Sequence, residues 1–305
     1  MSFVPVTVMD ALLPQENVTV PSNLSPAGRQ ASSAVSVQLG AGIAAKLFHE
    51  IPPAAVTGLR LWTSAIAMAV IAGRGLARAF GDLAKRRAWA DAGIAVSFGI
   101  TLLIMNFSIY QAFARIPLGP AVTIEFLGPL GVAVAGSRHL RDVGWVVLAA
   151  TGVVLLTQGG HEHLDVVGVL FAAVAGACWA AYIVLSSATG RRFPGSAGLA
   201  IAMVVAGILV TPPAVVAGGG AMFRPAVLAT GAAIGILSSV VPYRLELEAL
   251  RRMPMRLFGV WMSLEPAVAA LIGLILLSQH LSLVEWLAIA CVMIACAGAA
   301  SGALP

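Results

Sequence analysis

A chain of 305 residues with 59% hydrophobic and 10% charged side chains, and a mean hydropathy of +0.95, has too few polar residues to cover a water-soluble surface. That excludes an ordinary soluble domain and identifies an all-α polytopic membrane protein. The formal charge of +5 then marks cytoplasmic loops, not a nucleic-acid partner.

Residues 1–26 hold four prolines and scattered polar residues, with no basic charge ahead of an apolar core. They read as a flexible cytoplasmic tail, not a signal peptide. The triplets Asn17-Val-Thr19 and Asn23-Leu-Ser25 fall there; a pattern so short arises by chance and carries no weight.

A helix needs about 20 mostly apolar residues to cross a bilayer. Runs of that kind fall at about 30–49, 52–73, 92–114, 118–136, 143–158, 166–187, 196–217, 226–250, 256–277 and 283–303, so ten transmembrane helices are expected. The fifth is the shortest. With the N-terminus inside, the inner side receives Arg29, Arg74, Arg78, Lys85, Arg86, Arg87, Arg138, Arg141, Arg191, Arg192, Arg251, Arg252 and Arg256. The outer side receives only Arg115 and Arg224. This positive-inside imbalance puts both termini in the cytoplasm.

The ten spans divide into two matching sets. The third ends AFARIP and the eighth ALRRMP; the fourth carries Glu125 and the ninth Glu265, with Trp145 and Trp286 following 20 and 21 residues later. Five helices followed by five equivalents must insert with opposite orientation, an architecture that places a substrate site at the repeat interface. The expected repeats are residues 27–160 and 161–305.

Charges inside the spans carry the chemistry. A carboxylate at mid-bilayer costs about 2.5–3.5 kcal/mol on insertion scales and normally faces a protein interior or a wet cavity. Glu125 and Glu265 lie roughly 10–14 Å deep at 1.5 Å per residue. Each has a proline nearby: Pro129 is expected to free the carbonyl of Glu125, and Pro266 that of Met262. Arg60 is too deep to reach water easily and pairs with either a protein carboxylate or that of a substrate. Lys46, close to the outer end of its span, can snorkel. Arg244 and Glu248 have the spacing of an intrahelical ion pair, while Glu246 points elsewhere and either faces the cavity or does not. Trp179, Tyr182 and Trp261 sit mid-span, against lipid or at a cavity wall. Tyr110 and Tyr243 bring hydroxyls that need partners.

The remaining patterns are weak. His161-Glu162-His163 reads as a solvated turn and not a metal site. GRGLARAFG (73–81) reads as a basic amphipathic surface segment and not a phosphate loop. Gly231 and Gly235 suit close helix packing. The three cysteines, Cys178, Cys291 and Cys296, lie in apolar runs without metal-type spacing and read as packing residues. There is no catalytic signature, so an enzyme is not expected and neither metal nor cofactor is called for.

The runs RIPLGPAVTIEFLGPLGVAV, GACWAAYIVLS, VVPYRLELEALRRMP and FGVWMSLEPAVAALIGLILL resemble the EamA-type branch of the drug/metabolite transporter superfamily, and within it the bacterial threonine and homoserine exporters. The resemblance covers about residues 30–303. It implies a ten-helix carrier in the bacterial inner membrane that exports amino acids or related metabolites and is driven by protons. Lys46, Arg60, Glu125, Tyr243, Glu246 and Glu265 match family positions. Arg244 stands where a small polar residue is usual, and Gln279-His280 replaces a Gly-Glu pair. The expected partners are thus a small-molecule substrate, protons and the lipid bilayer. Arg60, Glu125, Tyr243, Glu246, Lys46, Trp179 and Tyr182 are expected to bind the substrate, and Glu265 to carry the proton. The rivals are a carrier of another metabolite or drug and a passive channel.

Overall fold

The computed structural model describes residues 25–86, 89–135, 141–158, 164–193, 196–250, 252–253 and 255–302. Every regular element among them is helical: α1 (Pro26–Leu47), α2 (Pro53–Ala72), α3 (Arg74–Arg86), α4 (Trp89–Phe113), α5 (Leu118–Glu125), α6 (Leu127–Ala135), α7 (Arg141–Gln158), α8 (Val166–Gly190), α9 (Ala197–Gly218), α10 (Pro225–Gly235), α11 (Val241–Leu250), α12 (Met255–Met262), α13 (Glu265–Leu277) and α14 (Leu283–Gly302). A short π-helical segment, Ile236–Val240, joins α10 to α11.

Among the described residues, seven stretches are long and apolar enough to cross a membrane. They are Pro53–Ala72, Trp89–Phe113, Leu118–Ala135, Val166–Gly190, Ala197–Phe223, Leu257–Leu277 and Leu283–Ser301. The expected fifth and eighth spans appear as shorter apolar helices, Val143–Thr157 and Pro225–Val240. The expected first span, α1, is long enough, yet Gln30, Ser33, Ser36 and Gln38 dilute its hydropathy and are buried against protein.

Helix ends follow local chemistry. Ser25 caps α1 by accepting from the Gly28 N–H, and Asp165 caps α8 by accepting from Val167 N–H at 2.9 Å. Pro53 and Pro225 open α2 and α10 at first-turn positions that need no N–H. The basic segment anticipated at 73–81 lies in α3, an amphipathic helix. Gly73, with φ of 48°, makes the turn into it, and Ala79 packs on Phe193 and Ile201.

The bundle is made of close helix pairs. α4 packs along α8, α2 along α9 and α7 along α14; α11 packs on α1, and α13 touches both α1 and α5. Two ion pairs link the opposite ends of α4 and α8: Arg115 with Asp165 at 3.9 Å and Arg192 with Asp91 at 3.1 Å. Small residues set the spacing, as where Gly128 on α6 lies against the backbone of Gly176 on α8.

Candidate functional site

The two deep carboxylates both sit where a helix is broken. Glu125 is the last residue of α5, and Phe126 separates it from α6. Glu265 is the first residue of α13, after a turn at Ser263 and Leu264. Pro129 and Pro266 each fall in the first turn of the second half-helix, where a missing N–H costs nothing. The helices are therefore interrupted before each proline instead of kinking around it. The carbonyl of Glu125, which Pro129 was expected to free, lies against α8: a Cβ at Gly176 would stand 2.8 Å from that oxygen. The broken stretches also touch α14, whose Cys296 thiol donates weakly to the Phe126 carbonyl at 4.0 Å. All three cysteines are free and half-buried.

Arg60 comes from the eighth position of α2. Gly231 and Gly235 bring α10 hard against this part of α2, with a Cβ at Gly235 only 3.1 Å from the Arg60 carbonyl. The guanidinium stacks on the ring of Tyr110, 5.2 Å from its centroid. Tyr110 is itself fully buried between Phe48 and Phe113, at 5.8 and 5.9 Å. Its hydroxyl has no hydrogen-bond partner among the described residues. Nor does any described carboxylate reach ion-pair distance of Arg60. The charge it feels is that of Glu125.

Glu246 enters from α11. Ser33 on α1 donates its hydroxyl to Glu246 Oε1 at 2.7 Å. The same stripe of α1 continues at Ser36, which donates to the Leu237 carbonyl at 2.8 Å, and at Gly40, which abuts the Ser238 hydroxyl. On the other side of the π segment, Ser64 of α2 donates to Ser239 Oγ at 2.7 Å. The extra residue in the π turn thus lets consecutive serines face two different helices, a geometry often found at functional sites.

Aromatic rings wall the same region. Trp179 packs edge-on against Phe126 at 4.8 Å, and Tyr182 against Phe98 at 5.3 Å. Electrostatic interaction joins Glu265 to Glu246 and Glu125, and Tyr182 to Glu246. The fold therefore gathers Arg60, Glu125, Glu246, Glu265 and Tyr182 into one neighbourhood, with Trp179 beside it. Lys46 is exposed in the last turn of α1, where a cation suits the helix end, away from this group. Trp261 is half-buried in α12. Tyr243 lies on α11, but its side chain, like those of Arg244 and Glu248, is outside the described residues. Asn17, Asn23 and His161 to His163 also lie outside them.

Sequence reasoning did not single out Ser33, Phe126 or Phe98. The signal for Ser33 was present in the spacing of Gln30, Ser33 and Ser36, which places polar groups on one helical face. It also missed the function of Gln279. Leu118, the first residue of α5, donates its N–H to Gln279 Oε1 at 3.0 Å, and the Gln279 N–H returns to the Gly273 carbonyl after Ser278 turns left-handed. The Gln279 side chain thus caps a half-helix of the other broken span.

A multi-pass helical bundle with broken, charge-bearing spans has the form of a membrane transporter. The EamA-like transporter family model matches residues 166–301. The threonine/homoserine exporter RhtA of Salmonella typhimurium LT2 and that of Escherichia coli K12 are each 36% identical over 86% of this chain and 87% of their own. An uncharacterized transporter of Bacillus subtilis, YwfM, is 32% identical over 59% of this chain and 60% of its own. One solved chain shares the fold, with a TM-score of 0.59 and 21% identity over 89% of this chain and 95% of that one. The chain belongs to the EamA-like transporter family.

Proposed function

We propose that this protein is a secondary transporter of the bacterial inner membrane that exports small amino acids of the threonine and homoserine kind, or related metabolites, by proton antiport and alternating access. The observation that carries this reading is Arg60, a guanidinium deep in the bundle with Glu125 nearby and no carboxylate of the described residues in ion-pair range. A zwitterion needs one cationic and one anionic partner shielded from water, and these two residues supply both signs. The relatives named as threonine/homoserine exporters support the substrate class.

Arg60 takes the substrate carboxylate and Glu125 its ammonium. Trp179 and Tyr182 form the wall, Glu246 and Tyr243 lie toward the inner end, and Lys46 stands at the outer mouth. Glu265, only 5% exposed, carries the proton.

Ten spans in two inverted repeats, 27–160 and 161–305, with both termini cytoplasmic, fit this reading. The packing supports it: α4 on α8 has its counterpart in α10 and α11 on α1, α5 and α6 on α8 in α12 and α13 on α1, and α9 on α4 in α2 on α10. The Lys and Arg asymmetry supports the orientation. Cysteines placed at Glu162 and Gln279 in a Cys-free background label from outside, and those at Arg87 and Arg192 from inside; Gln279 and Arg192 labelling from one side breaks the topology.

Counterflow in proteoliposomes with labelled threonine, homoserine and a panel of other metabolites tests the substrate. Exchange of the first two is the expected result. Exchange of a different solute alone makes the protein another kind of metabolite carrier, and downhill flux indifferent to the proton gradient makes it a channel.

A further inference from the structure

Among the charges inside the bundle, half-buried Glu246 has the least obvious use. The sequence reading put Glu246 among the substrate ligands, but Arg60 and Glu125 already supply both signs a zwitterion needs and Glu265 is the proton carrier, so this third carboxylate is left without a substrate charge to bind. Its surroundings differ from those of the other two. Glu246 is four residues from the end of α11, and Ser33 is seven from the start of α1, so at 1.5 Å per residue they lie about 6 and 10 Å from one face of the bundle. Glu265 is ten residues beyond the start of α12 at the same face, about 15 Å in. On the topology proposed above, that face is cytoplasmic.

Between Glu246 and that face, α1 is polar where a lipid-spanning helix is not. Gln30 is fully buried, and neither its amide nitrogen nor its oxygen has a partner among the described residues. It precedes Ser33 by three residues, on the same side of the helix. Buried polar atoms without a partner are rare and ask for an explanation, and a path that carries protons or water is one. Arg29 is buried next to it and has an interaction partner of its own. Among the described residues, the groups that face Glu246 are Ser33, with Arg29 a turn away, from α1; Tyr182 from α8; and Glu265 from α13.

We propose that Glu246 is the cytoplasm-side proton relay of this transporter. The inference rests on the antiport reading given above and assigns a second residue to it. The step balances simply: the O–H of neutral Glu265 breaks, the proton forms an O–H on the carboxylate of Glu246, and Glu265 is left ionised. Ser33 occupies Oε1 as a hydrogen-bond donor, which leaves Oε2 to receive the proton. Glu246 then releases it past Gln30 to water on the inner side. During export, protons run inward along this route while the amino acid runs outward through the site at Arg60 and Glu125.

The test uses the full chain in proteoliposomes with labelled threonine, read in two assays: exchange at equal pH on both sides, and net flux driven by a pH gradient. Glu246→Gln is expected to keep exchange within about twofold and to lose gradient-driven flux by about tenfold or more, with Glu246→Asp restoring part of it. Ser33→Ala, which keeps the carboxylate, should slow gradient-driven flux several-fold and leave exchange unchanged. Loss of exchange together with flux in Glu246→Gln makes the residue a substrate ligand and overturns the relay. Full gradient-driven flux in Glu246→Gln removes it from the proton route. A Glu265→Gln control separates the two ideas: if that variant keeps gradient-driven flux, the reading of Glu265 falls, and the relay to it falls with it. A wild type that exchanges no threonine overturns the substrate reading itself.

Discussion

The two broken spans use the same ingredients and arrange them differently. In α5 and α6, the glutamate ends the first half-helix and the proline comes four residues later; in α12 and α13, the glutamate starts the second half-helix and the proline follows at once. Glu125 is half-exposed, flanked by Arg60 and a backbone pressed onto Gly176. Glu265 is buried, and the charges around it are other carboxylates. A carboxylate beside a cation can hold a zwitterionic solute, whereas one enclosed among other carboxylates is suited to passing a proton. In the two-repeat arrangement proposed above, matching positions therefore need not share a role.

The sharpest way to break this contrast is to neutralise each side in turn. Glu265→Gln should abolish pH-driven efflux yet retain exchange of substrate, while Glu125→Gln should reduce binding and exchange together by about tenfold or more, a loss of at least about 1.4 kcal/mol. The opposite pattern in the same transport assays would swap the roles, and full proton-driven efflux in both variants would make the two carboxylates structural.

A smaller effect is expected from Arg60→Lys. The charge remains, but the planar two-point grip on a carboxylate is lost, so transport should drop about tenfold with expression unchanged. Unimpaired transport in Arg60→Ala would remove Arg60 from the site.

Two stability measurements probe the framework of each break. Gly176→Ala puts a methyl group against the Glu125 backbone and should cost about 1–3 kcal/mol, read as a lower Tm of the detergent-solubilised protein. An unchanged Tm would mean that α8 is free to move away from Glu125. Gln279→Ala removes the acceptor at the start of α5 and should cost about 1 kcal/mol; Gln279→Glu, which keeps an acceptor there, should recover most of it. Loss of the same size in both variants would show that the Leu118 N–H does not depend on this contact.

The sequence by itself determined the solvent and the charge inventory. Hydropathy is a sum over neighbouring residues, so the apolar runs, the basic loops and the two mid-span glutamates with their prolines were legible without any tertiary contact. The weak points lay where tertiary context overrides that sum: α1 is made polar by residues that protein, not lipid, covers. Only the tertiary structure decided that the chain breaks at Glu125 and Glu265, that Arg60 lies on Tyr110, and that Ser33 holds Glu246 across 213 residues of sequence. Helical periodicity specifies which residues share a face; which face meets which depends on small-residue contacts such as Gly128 on Gly176 and Gly235 on Thr63, and on a π turn that redirects two serines. Such contacts join residues far apart in the chain, and a local pattern carries no record of them.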